Sequence, residues 1–180
     1  MKKKTIWDMK RPDIEQYRKM KKIPLVVVLD NVRSLNNIGS IFRTCDAFGV
    51  ESIALCGISA TPPSPEIHKT ALGAEDSVAW DYYASTAEAV ACLREKGYKI
   101  LCLEQVEESV SLEKFEPAEG DKYALVSGNE VDGVDQCIVD VCDLTLEIPQ
   151  IGTKHSLNVS VSTGLAIWQI FQKLPLYYEN

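Results

Sequence analysis

Ile148-Pro149-Gln150-Ile151-Gly152-Thr153-Lys154-His155-Ser156-Leu157-Asn158-Val159-Ser160-Val161 is the stretch that decides the fold. An apolar strand end runs through a glycine-containing loop directly into a helix that opens with polar residues. Pro149 cannot donate to a sheet ladder and ends the pairing. Gly152 lets the backbone turn or lie against a ligand without a Cβ in the way, and Ser156 is a natural N-cap. Ligands in open α/β sheets bind beyond the carboxyl ends of the strands, so a loop in this position is where such a protein builds a pocket.

Outward from this stretch, strands and helices alternate. The strands are predicted at Leu25 to Asp30, Ser52 to Cys56, Lys99 to Leu103, Tyr123 to Ser127 and Leu144 to Ile148. Several are continuous apolar runs, as expected when both faces of a parallel sheet are covered. Helices are predicted over Pro12 to Lys21, Ile38 to Phe48, Thr86 to Lys96, Asp135 to Val141 and Ser156 to Lys173. Gly97 stands as the C′ residue of the third, and Pro175 stops the last. The fold class is therefore α/β, with one mostly parallel sheet flanked by helices. Thr61-Pro62-Pro63-Ser64-Pro65 marks a surface loop.

A chain of 180 residues, 46% hydrophobic and 25% charged, makes one globular domain with enough length to bury a core. The six cysteines form no Cys-x-x-Cys pair and sit mostly in apolar runs, so they read as reduced, buried thiols of a cytoplasmic protein. Two histidines leave few ways to assemble a zinc site, and no metal is expected. The N-terminal lysines precede no apolar segment, and no apolar run reaches about 18 residues, which disfavours secretion and a membrane partner.

The net charge of −7 hides an asymmetry. Nine of the nineteen basic residues precede Ile23, against three acids, so residues 1–22 carry +6 and the rest carries −13. A basic N-terminal helical extension on an acidic body, residues 23–180, has the electrostatics for phosphate attraction; a solvated helix is the plainer reading.

Two common occupants of this architecture are excluded at once. Asp30 to Gly39, after the first strand, contains neither G-x-G-x-x-G nor G-x-x-x-x-G-K, so no dinucleotide or P-loop site lies there.

Three polar clusters at strand ends remain: Asn36-Asn37-Ile38-Gly39-Ser40-Ile41-Phe42-Arg43-Thr44, Leu125-Val126-Ser127-Gly128-Asn129-Glu130, and the opening stretch through Ser156-Leu157-Asn158-Val159-Ser160. In this order they resemble the three motifs of the SpoU (TrmH-like) RNA ribose 2′-O-methyltransferases of the SPOUT superfamily, over about Pro24 to Leu174. The resemblance implies an α/β knot, in which the C-terminal segment forms a deep trefoil knot, with S-adenosylmethionine bound there and a homodimer. It implies catalytic roles for Asn37, Arg43, Glu130, Ser156 and Asn158. Cofactor contacts would come from Gly128, Ile148, Pro149, Ser156, Leu157 and Asn158.

The residues allow plainer readings beside these. Arg43 falls off the apolar stripe of its helix and can face the pocket, or form a surface pair with Asp46. As a base it is unsuited, since a guanidinium stays protonated; it can orient an RNA phosphate and stabilise alkoxide charge. Glu130 precedes a predicted helix and can simply favour that helix's positive end. Ser156 and Asn158 are an ordinary pair for a helix start. Leu157, Val161, Leu165 and Trp168 make one apolar stripe on the last helix, and Val159, Ala166, Ile170 and Leu174 a second. A helix apolar on two sides is buried between layers or at a subunit contact.

Lys69 can meet RNA phosphate and His68 can stack on a base, or both are ordinary surface residues; Trp7, Tyr17 and Trp80 pose the same choice. Candidate RNA contacts are Lys10, Arg11, Arg33, Arg43 and Lys69. The expectation is a methyltransferase acting on a ribose 2′-hydroxyl in RNA. tRNA is preferred over rRNA because the chain has no separate RNA-binding domain. The alternative is a non-catalytic RNA-binding protein of the same fold.

Overall fold

The computed structural model describes residues 1–5, 8 and 11–174. Within them one seven-stranded sheet carries β1 (Ile23–Asp30), β2 (Val50–Cys56), β3 (Ala79–Tyr83), β4 (Tyr98–Leu103), β5 (Val110–Ser111), β6 (Lys122–Ser127) and β7 (Leu144–Glu147). The spatial order is β3-β2-β1-β6-β4-β7-β5, and every neighbouring pair is parallel.

The continuous apolar run of β1 has the expected cause. Leu25, Val27 and Leu29 point to one layer and Val26 and Val28 to the other, and all five are buried. The first layer holds α1 (Ile14–Lys19), α2 (Leu35–Phe48), α3 (Pro65–Ala71), α4 (Ala74–Ser77) and α7 (Val159–Lys173). The second holds α5 (Thr86–Glu95), with Ala89, Val90 and Leu93 buried, and the short α6 (Gln136–Val139), with Ile138 buried.

All five predicted strands and five predicted helices are present, with shifted ends. Two strands and two helices are additional. β3 is an edge strand without a fully buried residue, so Trp80 to Tyr83 lack the apolar pattern of the interior strands. β5 has only two residues. The Pro-rich segment is a loop only as far as Ser64, whose Oγ accepts from Ile67 N and caps α3, with Pro65 in its first turn. The last helix begins at Val159 rather than Ser156, because Asn158 is the N-cap and accepts from Ser160 N. It ends at Lys173 as expected, with Leu174 as C-cap, and Pro175 lies outside the described residues.

Two arrangements place the site. β7 lies between β4 and β5, so the chain returns into a gap between strands laid down earlier. The helix that follows packs on α2, where Phe48 meets Trp168 and Phe171 in tilted contacts with ring centroids 5.4 and 5.3 Å apart. Buried Thr163 of α7 donates from Oγ1 to Ser127 Oγ at 2.8 Å, fixing α7 to the end of β6. The N-terminal helix α1 meets the same C-terminal turn of α2: Tyr17 is buried there and its hydroxyl donates to Asp46 O at 3.0 Å. Tyr17 and Trp80 are thus packing residues, while Trp7 lies outside the described residues.

The cysteines are free thiols, and the expectation that they are buried holds for Cys45, Cys56 and Cys102 but not for Cys137, which is exposed beside the N-cap of α6. Among the described residues no helix is long and apolar enough to cross a membrane.

Candidate active site

The three polar clusters converge at the carboxyl edge of the sheet. The first follows β1, where Ser34 caps α2 by accepting from Asn37 N at 3.3 Å, and this puts the Asn37 side chain on the first turn. The second follows β6. The Gly128 to Val134 segment doubles back so tightly that Asn129 and Gly133 exchange backbone hydrogen bonds of 2.9 and 3.0 Å. A Cβ on Gly128 would fall 2.1 Å from Gly133 C, so glycine is required there by the loop's own return path. The third is the start of α7.

One hydrogen-bonded chain joins them. Glu130 Oε1 accepts from Ser34 N and from Asn37 Nδ2, each at 3.0 Å, and Oε2 accepts from Arg33 N at 3.0 Å. Asn37 Oδ1 in turn accepts from Asn158 Nδ2 at 3.1 Å. Asn129 Nδ2 donates to Asn31 O at 2.8 Å and fastens the second loop to the first. Glu130 therefore sits at the positive end of α2, not of α6. Partial burial opposes its ionisation, but the amides of Arg33 and Ser34 and the Asn37 side chain outweigh that and hold its carboxyl below the usual glutamate range.

Beside this chain lies a cleft of about 520 Å³ between the loops after β4, β6 and β7 and the start of α7. Leu103, Leu146, Ile148, Leu157 and Val159 form its apolar part; Glu104, Asp132 and Glu147 add carboxylates beside Glu130, and among the described residues no lysine or arginine lines it. The volume suits a nucleoside-sized ligand, and the lining suits one with an apolar ring and positive charge. Among the described residues no group of three or more His, Cys, Asp or Glu is placed to hold a metal ion.

The predicted site residues divide. Asn37, Glu130 and Asn158 are brought into contact, and Gly128, Ile148, Ser156 and Leu157 line the cleft with Asn158 and Glu130. Ser156 is exposed in the loop and caps nothing. Pro149 is exposed and does not line the cleft. Gly152 has open space about it and no positive φ, so no tight turn there requires glycine.

Arg43 does not turn toward the pocket of its own chain. Ile38, Phe42 and Cys45 take the core side of α2, while Thr44 and Phe48 face α7, which leaves Arg43 exposed on the outer side. Among the described residues it has no ion pair. The Asp46 carboxylate instead accepts from Ser77 Oγ at 2.6 Å.

Arg33, Lys69 and Arg11 are exposed, Arg33 standing 4.0 Å from Asp132, and Lys10 lies outside the described residues. His68 Nδ1 is 2.5 Å from Glu75 Oε1. Glu104 and Gln105 are among the cleft residues that sequence reasoning missed. Their only sequence signal is a pair of polar residues immediately after the apolar Ile100-Leu101-Cys102-Leu103.

The chain matches the profile of the SpoU rRNA Methylase family over residues 24–168. It is 31% identical over 157 residues to the 23S rRNA (guanosine-2′-O-)-methyltransferase RlmB of Neisseria meningitidis, covering 87% of this chain and 62% of that one. The chain thus spans less than two-thirds of the length of the curated relatives it matches. Among solved structures, the A. aeolicus TrmH/SpoU tRNA modifying enzyme superposes with a TM-score of 0.77 at 27% identity, over 89% of this chain and 81% of that one. The AdoMet-bound rRNA methyltransferase from Sinorhizobium meliloti gives 0.76 at 26%, over 85% and 58%. A parallel α/β sheet, three motif clusters joined at one edge and a match across most of its length lead to one conclusion: the chain belongs to the SpoU rRNA methylase family.

Proposed function

We propose that this protein transfers a methyl group from S-adenosylmethionine to a ribose 2′-hydroxyl of RNA. The observation that carries the reading is the Glu130–Asn37–Asn158 chain, which ties the three family motifs together beside a cofactor-sized cleft. When bound, S-adenosylmethionine supplies an electrophilic methyl whose bond to sulfur breaks as the bond to the ribose oxygen forms, leaving S-adenosylhomocysteine and a proton from the hydroxyl.

The chain's own part is to hold and orient. Leu146, Ile148 and Leu157 offer apolar walls for an adenine, and the carboxylates of Glu104 and Glu147 favour a cationic ligand. Glu130 is a poor proton acceptor, because its lowered pKa and its three hydrogen-bond donors keep it ionised and occupied. Its role is to fix Asn37 and, through it, Asn158 at the mouth of the cleft. Arg43, exposed outside the cleft and without an ion pair among the described residues, is open to an RNA phosphate close to the reacting sugar.

The reading extends to a homodimer. Leu157, Val161, Leu165 and Trp168 leave an exposed apolar stripe along α7, while Val159, Ala166, Ile170 and Leu174 bury the other side; a second copy covering the stripe accounts for it. It also extends to a knotted backbone. The insertion of β7 between β4 and β5 supports this, as does the position of Lys173, whose Nζ donates to the carbonyls of Glu113 and Phe115 in the segment that follows β5.

tRNA is preferred over rRNA as substrate, since the tRNA-modifying relative is matched over most of its own length. The exposed Arg11, Arg33, Arg43 and Lys69, with Lys10, are the proposed RNA contacts, in a cytoplasmic protein.

The test is transfer of labelled methyl from S-adenosylmethionine to RNA by purified protein. Arg43→Ala should lower turnover at least about 100-fold while cofactor affinity stays the same. Cofactor binding and RNA binding without any transfer would favour a non-catalytic RNA-binding protein instead.

A further inference from the structure

Three strands lead into the cofactor cleft, and β4 is the middle one. Leu103, its last residue, is in register with Ser127 of β6 on one side and Leu146 of β7 on the other. The two residues that follow therefore emerge between the loop leaving β6 and the loop leaving β7, and their side chains go opposite ways.

Glu104 holds the β6 loop. Its amide still donates to Leu146 O at 3.0 Å, while its half-buried carboxylate accepts from Val134 N at 3.0 Å and from Gln105 N at 2.8 Å. The fit is close enough to dictate a neighbour. Gly133 has φ +73°, and a Cβ there would lie 2.2 Å from Glu104 Oε2, so the carboxylate fills space that only glycine leaves open. Gln105 holds the β7 loop, its Nε2 donating to His155 O at 2.9 Å. Among the described residues this is the one hydrogen bond made by any residue of the exposed segment 149–157.

We propose that Glu104 and Gln105 act together as positioning residues, a two-sided clamp that sets the separation of the two cofactor loops and so the fit of S-adenosylmethionine between them. The proposal rests on the cofactor reading above. It follows from the topology: a strand lying between the two loop-bearing strands is the one place from which adjacent residues reach both. Since the segment 149–157 has no other hydrogen bond among the described residues before Asn158 is held by Asn37, releasing it loosens the cleft's apolar wall at Leu157 before the cofactor arrives, and that ordering then has to be supplied by binding.

The test measures S-adenosylmethionine affinity by calorimetry, together with KM and kcat for methyl transfer and thermal stability, on the full chain. Gln105 is exposed, so its variants should fold. Gln105→Ala and the equally long Gln105→Met both lose the donor, and each should raise the cofactor Kd and KM about five- to tenfold, the loss of one net hydrogen bond, with kcat changed less than about threefold. The melting temperature should stay within about 2 °C of wild type, as for an exposed loop tether. Glu104→Gln keeps one acceptor for Val134 N and should weaken binding less than Glu104→Ala.

Wild-type affinity in Gln105→Met with loss only in Gln105→Ala would assign the effect to packing and overturn the clamp. So would unchanged affinity in both. Failure of the wild-type protein to bind S-adenosylmethionine would overturn the cofactor reading, and the clamp with it.

Discussion

Replacing Glu130 by glutamine removes a charge while keeping the side chain's shape, and the structure fixes what is lost. The carboxylate accepts three hydrogen bonds, from Arg33 N, Ser34 N and Asn37 Nδ2. An amide presents one oxygen and one N–H₂ group. In its better orientation it keeps the Ser34 and Asn37 bonds and turns its N–H₂ toward Arg33 N–H, donor against donor. A hydrogen bond to a charged group is worth roughly 1.5–3 kcal/mol net, and an anion at a helix N-terminus adds about 0.3–1 kcal/mol. These contacts are largely exposed to solvent, so a total of about 1.5–3 kcal/mol is the reasonable range. If that energy holds Asn37 and Asn158 in place, kcat/KM for methyl transfer should fall roughly 10- to 150-fold, at about 1.4 kcal/mol per tenfold. Melting temperature should fall by roughly 3–12 °C in a chain of this size. Single-turnover transfer of labelled methyl to RNA, beside a calorimetric melt, reads both. A Glu130→Gln protein within twofold of wild-type activity and within about 1 °C in melting would refute the claim that this chain organises the site.

The other perturbations test separate links. Asn37→Asp sets a second carboxylate about 3 Å from Glu130 Oε1; it should lower transfer more than Asn37→Ala at pH 8, and the gap should narrow toward pH 5 as the pair takes up a proton. Glu130 has its folded pKa below its ordinary value of 4.5, so its stabilisation is full above that value and is lost as pH falls below it through the lowered native pKa; the pH dependence of stability should flatten in Glu130→Gln between about pH 5 and 3. Leu165→Lys on the exposed stripe of α7 should convert a dimer to monomer in sedimentation, and an unchanged dimer would place the subunit contact elsewhere. Because Tyr17 is buried, deleting the whole basic segment would also damage the core. Exchanging Lys2, Lys3 and Lys4 for glutamine is the cleaner probe, expected to flatten the salt dependence of RNA binding by roughly 0.7–0.9 log units for each lost phosphate contact.

Where the sequence could be read, the physics was local. A strand buried on both faces must be apolar throughout, and β1, β4 and β6 announced themselves in that way. Helices with capping residues and apolar spacing did the same. β3 and β5 were not legible: an edge strand with exposed faces needs no apolar pattern, and a two-residue strand is too short to have one. In the site, Asn37, Glu130 and Asn158 could be nominated by resemblance, but their mutual contact depends on the order β1-β6-β4-β7, which no local pattern encodes.

The same gap explains three misplacements. Ser156 and Asn158 are both competent caps, and which one serves is decided by how the loop meets α2. For Glu130 the plainer reading looks to the helix next in sequence, whereas the helix next in space is α2. For Arg43 helical periodicity alone leaves the pocket side open, and the docking of α7 on the neighbouring side of α2 closes it. Glu104 and Gln105 were invisible because their role exists only once β4 lies between β6 and β7.

The central claim is that this chain methylates a ribose hydroxyl. The most direct measurement incubates purified protein with S-adenosylmethionine carrying a labelled methyl group and unmodified tRNA, then digests the RNA and locates the label by mass spectrometry. The label is expected on ribose, at O2′ of one nucleotide in a 2′-O-methylated, alkali-resistant dinucleotide, and its rate of incorporation should fall at least about 100-fold with Arg43→Ala. Label on a base, or no label on RNA from a protein that binds both cofactor and tRNA, would contradict it.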